Sequence, residues 1–271
     1  MQAFENVTGK NNPELIRAAS LKDKKYRRKY GAFLADGIKL FLELCESGIE
    51  ICNVWINENA KDRILPKIED VLKKRGDISV RIAAPSAFLK LTDEEASEGI
   101  VCEARFSPRH THAELYSPKE GERVLMLASL RDPGNLGTVA RSALAFNITR
   151  LILSSDCVDI YSQKTLRAAM GAIFKLDITV VDDMEKTALE CIGLGRRVFA
   201  AELRDNAVSL LDADVKKSDV FIIGNEGHGI PESLSAVSSH SVYIPINEQS
   251  ESLNAAAAAS VLLWHQSIAE G

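Results

Sequence analysis

Apolar residues recur with two periods along the first hundred residues, and the alternation of those periods predicts a compact α/β unit. "GAFLAD" (31–36) and "ICNVWI" (51–56) are short, nearly continuous apolar runs of strand length, while "ISVRIAA" (78–84) alternates as a half-buried strand does. Between the first two lies "GIKLFLELCESG" (37–48), whose apolar residues at 38, 41, 42 and 45 have helical spacing. A charged helix over about 60–75, a short helix near 86–91 and a strand at "GIVCEARF" (99–106) complete the unit. "SPRHTHAELYSPKEGE" (107–122) then carries two prolines and loses the apolar period, which predicts a linker.

Beyond it the pattern changes. Near-continuous apolar strands at 123–129, 150–154, 177–181, 197–201, 219–224 and 241–246, with helices fitting between most of them, predict an open parallel sheet. Ligands in such sheets sit at the C-terminal strand ends, so the loops there are the first place to look for chemistry.

Composition narrows the class. A chain of 271 residues that is 46 % hydrophobic can bury two cores, and two domains are expected: 1–106, with a basic N-terminal arm, and 123–271. No apolar run approaches the roughly 18 residues that span a bilayer, and "MQAFENVTGKNNPEL" lacks the basic start and apolar centre of a signal peptide; a soluble cytoplasmic protein is expected, with no membrane partner. The five cysteines have no C-x-x-C spacing and no histidine placed to share a zinc, so reduced core thiols are expected and no metal. His110 and His112 lack a third ligand, and solvent exposure outweighs a metal site for them.

The net charge of −5 hides a local excess: "KDKKYRRK" (22–29) crowds six basic residues together. A solvated helix face and a phosphate-binding patch are equally weighted readings, because a local cluster rather than net charge releases counterions from nucleic acid. Tyr26 and Tyr30 beside it could stack on bases or simply pack.

Three strand-end loops stand out. "LRDPGNLGTVARSALAF" turns tightly at Pro133-Gly134, offers Asn135 as a helix cap and projects Arg141 from the helix. "GNEGHGIPESL" (224–234) crowds glycines and a carboxylate directly after a strand, which allows a ligand close to the backbone. Its order is G-x-x-G-x-G, and the chain has no Walker P-loop, no G-x-S-x-G and no H-E-x-x-H, so phosphate cradling and hydrolase chemistry lose their main support. "IPINEQSESLNAAAAAS" places Ser252 and Asn254 where either could cap the alanine-rich helix that follows.

Taken together, N-x-G-x-x-x-R-S-A (Asn135, Gly137, Arg141, Ser142, Ala143), G-N-E-G-x-G (224–229) and I-P-I…S-L-N (244–254) resemble the SpoU/TrmH family of RNA ribose 2′-O-methyltransferases in the SPOUT superfamily. The match runs over 123–268 and includes "VDIYSQKTLRAAMGAIFKLDI" (158–178); residues 14–106 more loosely resemble the family's L30e-like substrate-binding domain. Two departures stand out: Glu248 replaces a frequent glycine and adds a side chain beside the cofactor site, and Gln163 replaces a common proline.

The resemblance implies a Rossmann-like sheet with a deep trefoil knot, although true knots are nearly absent elsewhere. It implies a homodimer, with the helix from Ser252 packed against both the threaded loop and a second subunit. S-adenosylmethionine would be held by Gly224, Asn225, Gly227, Gly229, Ile244 and Leu253. Glu226 and Asn135 would order the loops, Ser252 and Asn254 would position Arg141, and Arg141 would act on a ribose 2′-hydroxyl. Lys24, Lys25, Arg27 and Arg28 are expected to bind RNA, with Lys164 and Arg167 adding phosphate contacts near the active site. Ribosomal RNA is the preferred substrate; transfer RNA, a base-methylating SPOUT enzyme and a catalytically silent RNA-binding assembly factor are the alternatives.

Overall fold

The computed structural model describes residues 4–247 and 249–269. In chain order the elements begin β1 Phe4–Val7, α1 Pro13–Ser20, α2 Lys24–Tyr30, β2 Ala32–Asp36, α3 Ile38–Ser47, β3 Ile51–Asn57, α4 Lys61–Arg75, β4 Val80–Ala83, α5 Pro85–Phe88 and β5 Ile100–Arg105. They continue β6 His110–Ala113, β7 Val124–Leu127, α6 Pro133–Ala145, β8 Arg150–Ser154, α7 Gln163–Ala169, β9 Asp177–Val181, α8 Met184–Gly193 and β10 Val198–Ala201. The last are β11 Val208–Ser209, β12 Val220–Ile223, α9 Glu232–Val237, β13 His240–Tyr243 and α10 Ala255–Ile268. The chain folds as two compact units, one formed by the residues up to Pro108 together with Asp159–Phe174, the other by Arg109–Val158 and the chain from Lys175 onward.

The first unit is built on a five-stranded sheet ordered β1-β4-β3-β5-β2, parallel among β1, β4 and β3 and antiparallel where β5 meets β3 and β2. Its N-terminal segment is not an arm. Asn12 Oδ1 accepts from the backbone N–H groups of Glu14 and Leu15 and starts α1, and Leu15, Ala18 and Leu21 are buried in the core with Leu34, Trp55 and Val101. Asp23 caps α2 in the same way, and Gly31, at φ +58°, ends it in the left-handed conformation that suits glycine.

Residues 159–174 join this unit through aromatic and polar contacts. Tyr161 stacks between Phe33 and Phe106, with centroids 4.6 and 4.3 Å away, and its hydroxyl accepts from the Ser107 N–H. Gln163 is buried: its Nε2 donates to the Leu91 carbonyl at 2.7 Å and its Oε1 accepts from the Asp93 N–H. A proline at this position could make neither bond.

The second unit is an eight-stranded sheet ordered β11-β13-β10-β12-β7-β8-β9-β6, and every pairing is parallel. The near-continuous apolar runs are explained by burial: all four residues of β7 and of β12 are buried. Val124 and Met126 pack with Ala188, Cys191 and Leu234 of α8 and α9. The expected linker is partly sheet, since 110–113 form the edge strand β6 and pair with β9. That strand is polar and half-exposed, so its apolar period is missing although its backbone bonds are not.

The apolar run at 241–246 yields a strand only to Tyr243, and 244–247 is irregular. β13 lies on the far side of β10 from β12, yet α10 after it packs against α6 and β12. The C-terminal segment thus returns across the sheet after β13.

Candidate active site

The site is assembled at the C-terminal ends of β7, β8, β12 and β13. Asp132, not Asn135, caps α6: its Oδ1 accepts the Asn135 N–H at 2.7 Å. The Asn135 side chain is thereby left for another task. Its Nδ2 donates to Glu226 Oε1 at 2.9 Å, and its Oδ1 accepts from Asn254 Nδ2 at 2.9 Å. Asn254 Oδ1 in turn caps α10, accepting from the N–H groups of Ala256 and Ala257. One chain of amides and a carboxylate thus joins the three loops, and it fixes which way each amide points.

Glu226 sits at the focus of donors. Burial alone would raise its carboxyl, but hydrogen bonds from Asn135 and from the backbone N–H groups of Glu226 itself, Arg131 and Asp132 outweigh that and hold it below the usual carboxylate range. The glycine loop around it is a closed hairpin. Asn225 and Gly229 exchange backbone hydrogen bonds at 2.9 and 3.0 Å, and Asn225 Oδ1 accepts from the N–H groups of Gly227 and His228. A Cβ on Gly224 would lie 2.4 Å from the Gly229 carbonyl carbon, so nothing larger than glycine fits there without moving the loop.

Arg141 lies exposed on α6, and its side chain forms no hydrogen bond or ion pair among the described residues. The expected positioning by Ser252 and Asn254 is not seen: Asn254 is engaged with Asn135 and α10, and the Ser252 carbonyl accepts from Ser250 Oγ at 3.3 Å. The helix begins at Ala255 rather than Ser252. Ile244, directly after β13, is half-buried, and Leu253, two residues before α10, is 38 % exposed; both lie in irregular backbone. Glu248 lies outside the described residues.

Further residues without a motif frame the site. A recess of about 520 Å³ is lined by Ser129, Arg131, Asn225, Glu226, Gly229 and Pro231, among others. Ser129, two residues past the end of β7, has φ +56°, unusual for a residue with a side chain; its N–H donates to Ser154 Oγ and its carbonyl accepts from Asn225 Nδ2. Asp156 accepts from Ser129, Ser154 and Arg131; burial would raise its carboxyl, but these donors hold it below the usual range. Their only signal in the sequence is a place just past the ends of β7 and β8.

The basic residues separate. Lys24, Lys25 and Arg28 are exposed on α2, but Arg27 is buried, with its Nε and Nη2 on Asp159 Oδ2 at 2.9 and 2.6 Å and its Nη1 on the carbonyls of Leu21 and Lys22. Arg27 therefore has no face to offer RNA. Lys164 and Arg167 fold with the first unit, whereas Arg141 and Glu226 belong to the second, and Arg167 Nη2 is 2.5 Å from Glu94 Oε1.

Residues 122–264 match the SpoU rRNA Methylase family. The chain belongs to that family. Residues 4–102 match the MRM3-like substrate binding domain. Among relatives of this SpoU methylase, the 23S rRNA (guanosine(2553)-2′-O)-methyltransferase RlmP of Bacillus subtilis (strain 168) is 28 % identical over 97 % of this chain and 99 % of its own. The mitochondrial rRNA methyltransferase 3 of Xenopus tropicalis is 25 % identical over 90 % of this chain and 71 % of its own. The crystal structure of an rRNA methyltransferase from Sinorhizobium meliloti superposes with a TM-score of 0.82 at 27 % identity, covering 97 % of each chain, and its AdoMet-bound form with 0.81. The glycine loop is closed on itself at Gly224, while Gly227 and Gly229 are exposed beside the recess.

Proposed function

We propose that this SpoU methylase transfers the methyl group of S-adenosylmethionine to a ribose 2′-hydroxyl in structured RNA, with ribosomal RNA the preferred substrate. The observation that carries the reading is the chain Asn254–Asn135–Glu226, which ties the three motif loops together at the start of the helix that carries Arg141, exposed and without a side-chain partner among the described residues. The names of the Bacillus and Xenopus relatives support the choice of ribosomal RNA.

S-adenosylmethionine supplies a methyl group already activated by its sulfonium. The backbone at Gly224, Asn225, Gly227, Gly229, Ile244 and Leu253 holds it. Aligning nucleophile and methyl carbon is worth several kcal/mol, up to roughly 7–11 in ideal cases. Asn135, Glu226 and Asn254 are positioning residues, with Ser252 two residues before Asn254 in the segment that leads into α10. Arg141 serves as a cation that stabilises the developing alkoxide and holds the neighbouring phosphate; the proton leaves to phosphate or water. Lys24, Lys25 and Arg28 bind the RNA backbone, with Lys164 and Arg167 supplementary.

The assembly is a homodimer. Val261, Trp264 and Ile268 follow one face of α10 and are 37, 52 and 60 % exposed, an apolar stripe suited to a second copy.

The test is transfer of labelled methyl from S-adenosylmethionine into ribosomal and transfer RNA from cells lacking the enzyme, followed by digestion to nucleosides. Label is expected in a 2′-O-methylated nucleoside from ribosomal RNA, and Arg141→Ala should abolish it while cofactor affinity stays within about threefold, as for an interaction made in the transition state. Label in a methylated base would overturn the reaction, and a large loss of cofactor affinity would overturn the role of Arg141.

A further inference from the structure

Glu202 is a carboxylate that the proposed reaction leaves unused, and it is only 11 % exposed. It follows β10 directly, and β10 lies between β13 and β12, so its loop neighbours both the glycine loop and the irregular chain after Tyr243. Its Oε1 accepts from Ser235 Oγ of α9 and from Ser241 Oγ of β13, the latter at 2.7 Å. Its Oε2 is 3.0 Å from Arg204 Nε. Arg204 then grips Glu232, the first residue of α9, with two parallel bonds at 3.0 and 2.5 Å.

These contacts converge on α9, which is otherwise held by burial of Leu234 against α8 and by the Ser233 hydroxyl donating to Glu185 Oε1. α9 has six residues, starts from Pro231 and has no side-chain cap. A helix so short has marginal intrinsic stability. Its start is the exit of the glycine loop, whose entrance is set by β12 and by the contact of Gly224 on Gly229. Only the Glu202 end of this network is buried, Glu232 being 80 % exposed, so its worth lies less in stability than in the geometry that the satisfied Glu202 carboxylate fixes.

We infer that Glu202, acting through Arg204, Ser235 and Ser241, is a positioning residue that holds the glycine loop in its cofactor-ready form. The inference rests on the reading that this loop takes S-adenosylmethionine. A preorganised loop binds more tightly because less ordering remains to be done on binding.

The experiment is calorimetric titration of S-adenosylmethionine into the full chain, wild type and Glu202→Gln, Arg204→Ala and Arg204→Lys, with melting temperature and amide hydrogen exchange over 224–237 measured on each. Glu202→Gln and Arg204→Ala should weaken binding about tenfold and speed exchange at 225–231 selectively, and Arg204→Lys, keeping the cation without the fork, should recover part of both. Arg204 is one-third exposed, so its variants give the answer even if Glu202→Gln folds poorly. Lower melting temperatures with wild-type affinity and wild-type exchange in the loop would overturn the inference and leave a purely structural brace. Absence of binding by the wild type would instead remove the cofactor reading, and this inference with it.

Discussion

Gly224 has less latitude than its neighbours, because the space its side chain would need is occupied by backbone. Of the atoms a Cβ would meet, the nearest are the Gly229 carbonyl carbon and oxygen and the Ile230 nitrogen, at 2.4 to 2.6 Å, and none of them can rotate aside. Gly224→Ala is therefore expected to cost about 1–3 kcal/mol of stability and to reduce S-adenosylmethionine affinity far more than its folding loss accounts for. Circular dichroism and titration calorimetry on the same sample separate the two effects; unchanged affinity would mean that the loop relaxes without reaching the ligand. Arg141 is the opposite case, an exposed side chain without a hydrogen-bond or ion-pair partner among the described residues. The sequence motif picks it out, and the single chain shows only that it is available.

At the scale of elements, α2 shows how a charge run divides once it is folded. The spacing of "KKYRRKY" puts Lys24, Lys25, Arg28 and Lys29 on the exposed side, and turns Arg27 inward onto Asp159. Replacing Lys24, Lys25 and Arg28 by glutamine should weaken RNA binding and flatten the dependence of log K on log salt by about two to three. An unaltered slope would place the RNA elsewhere. Arg27→Ala should leave the slope alone and destabilise the first unit by about 3–5 kcal/mol, read as a drop in denaturation midpoint, because Asp159 loses its partner while largely buried. The alanine run of α10 divides similarly: Ala255, Ala256 and Ala259 are buried, and the helix lies against α6, where Ser142 and Ser260 hydroxyls meet at 2.7 Å. Small residues there let two helices approach closely.

For the molecule as a whole, the apolar stripe of α10 decides the assembly we propose. A tryptophan at 52 % exposure between Val261 and Ile268 is a large apolar surface to leave in water. Trp264→Glu is expected to convert a dimer into a folded monomer in sedimentation, with methyl transfer lost. A variant that remains dimeric would move the interface to another surface. The second unit keeps its parallel sheet in either case, since its core is contained within one chain.

The sequence by itself determined the strand-rich parallel second unit, the glycine loop and the residue types of the three motifs. These are local properties: apolar runs the length of a strand, and glycines where backbone must meet backbone. Only the tertiary structure decided that Arg27 is a core residue, that 110–113 pair as an edge strand, and that 159–174 fold with the first unit. It also decided which amide serves which partner, since Asn135 reaches Glu226 across 91 residues and Asn254 across 119. No window of sequence contains both ends of such a bond, so the polar chain at the centre of the site became visible only when the strand ends were brought together.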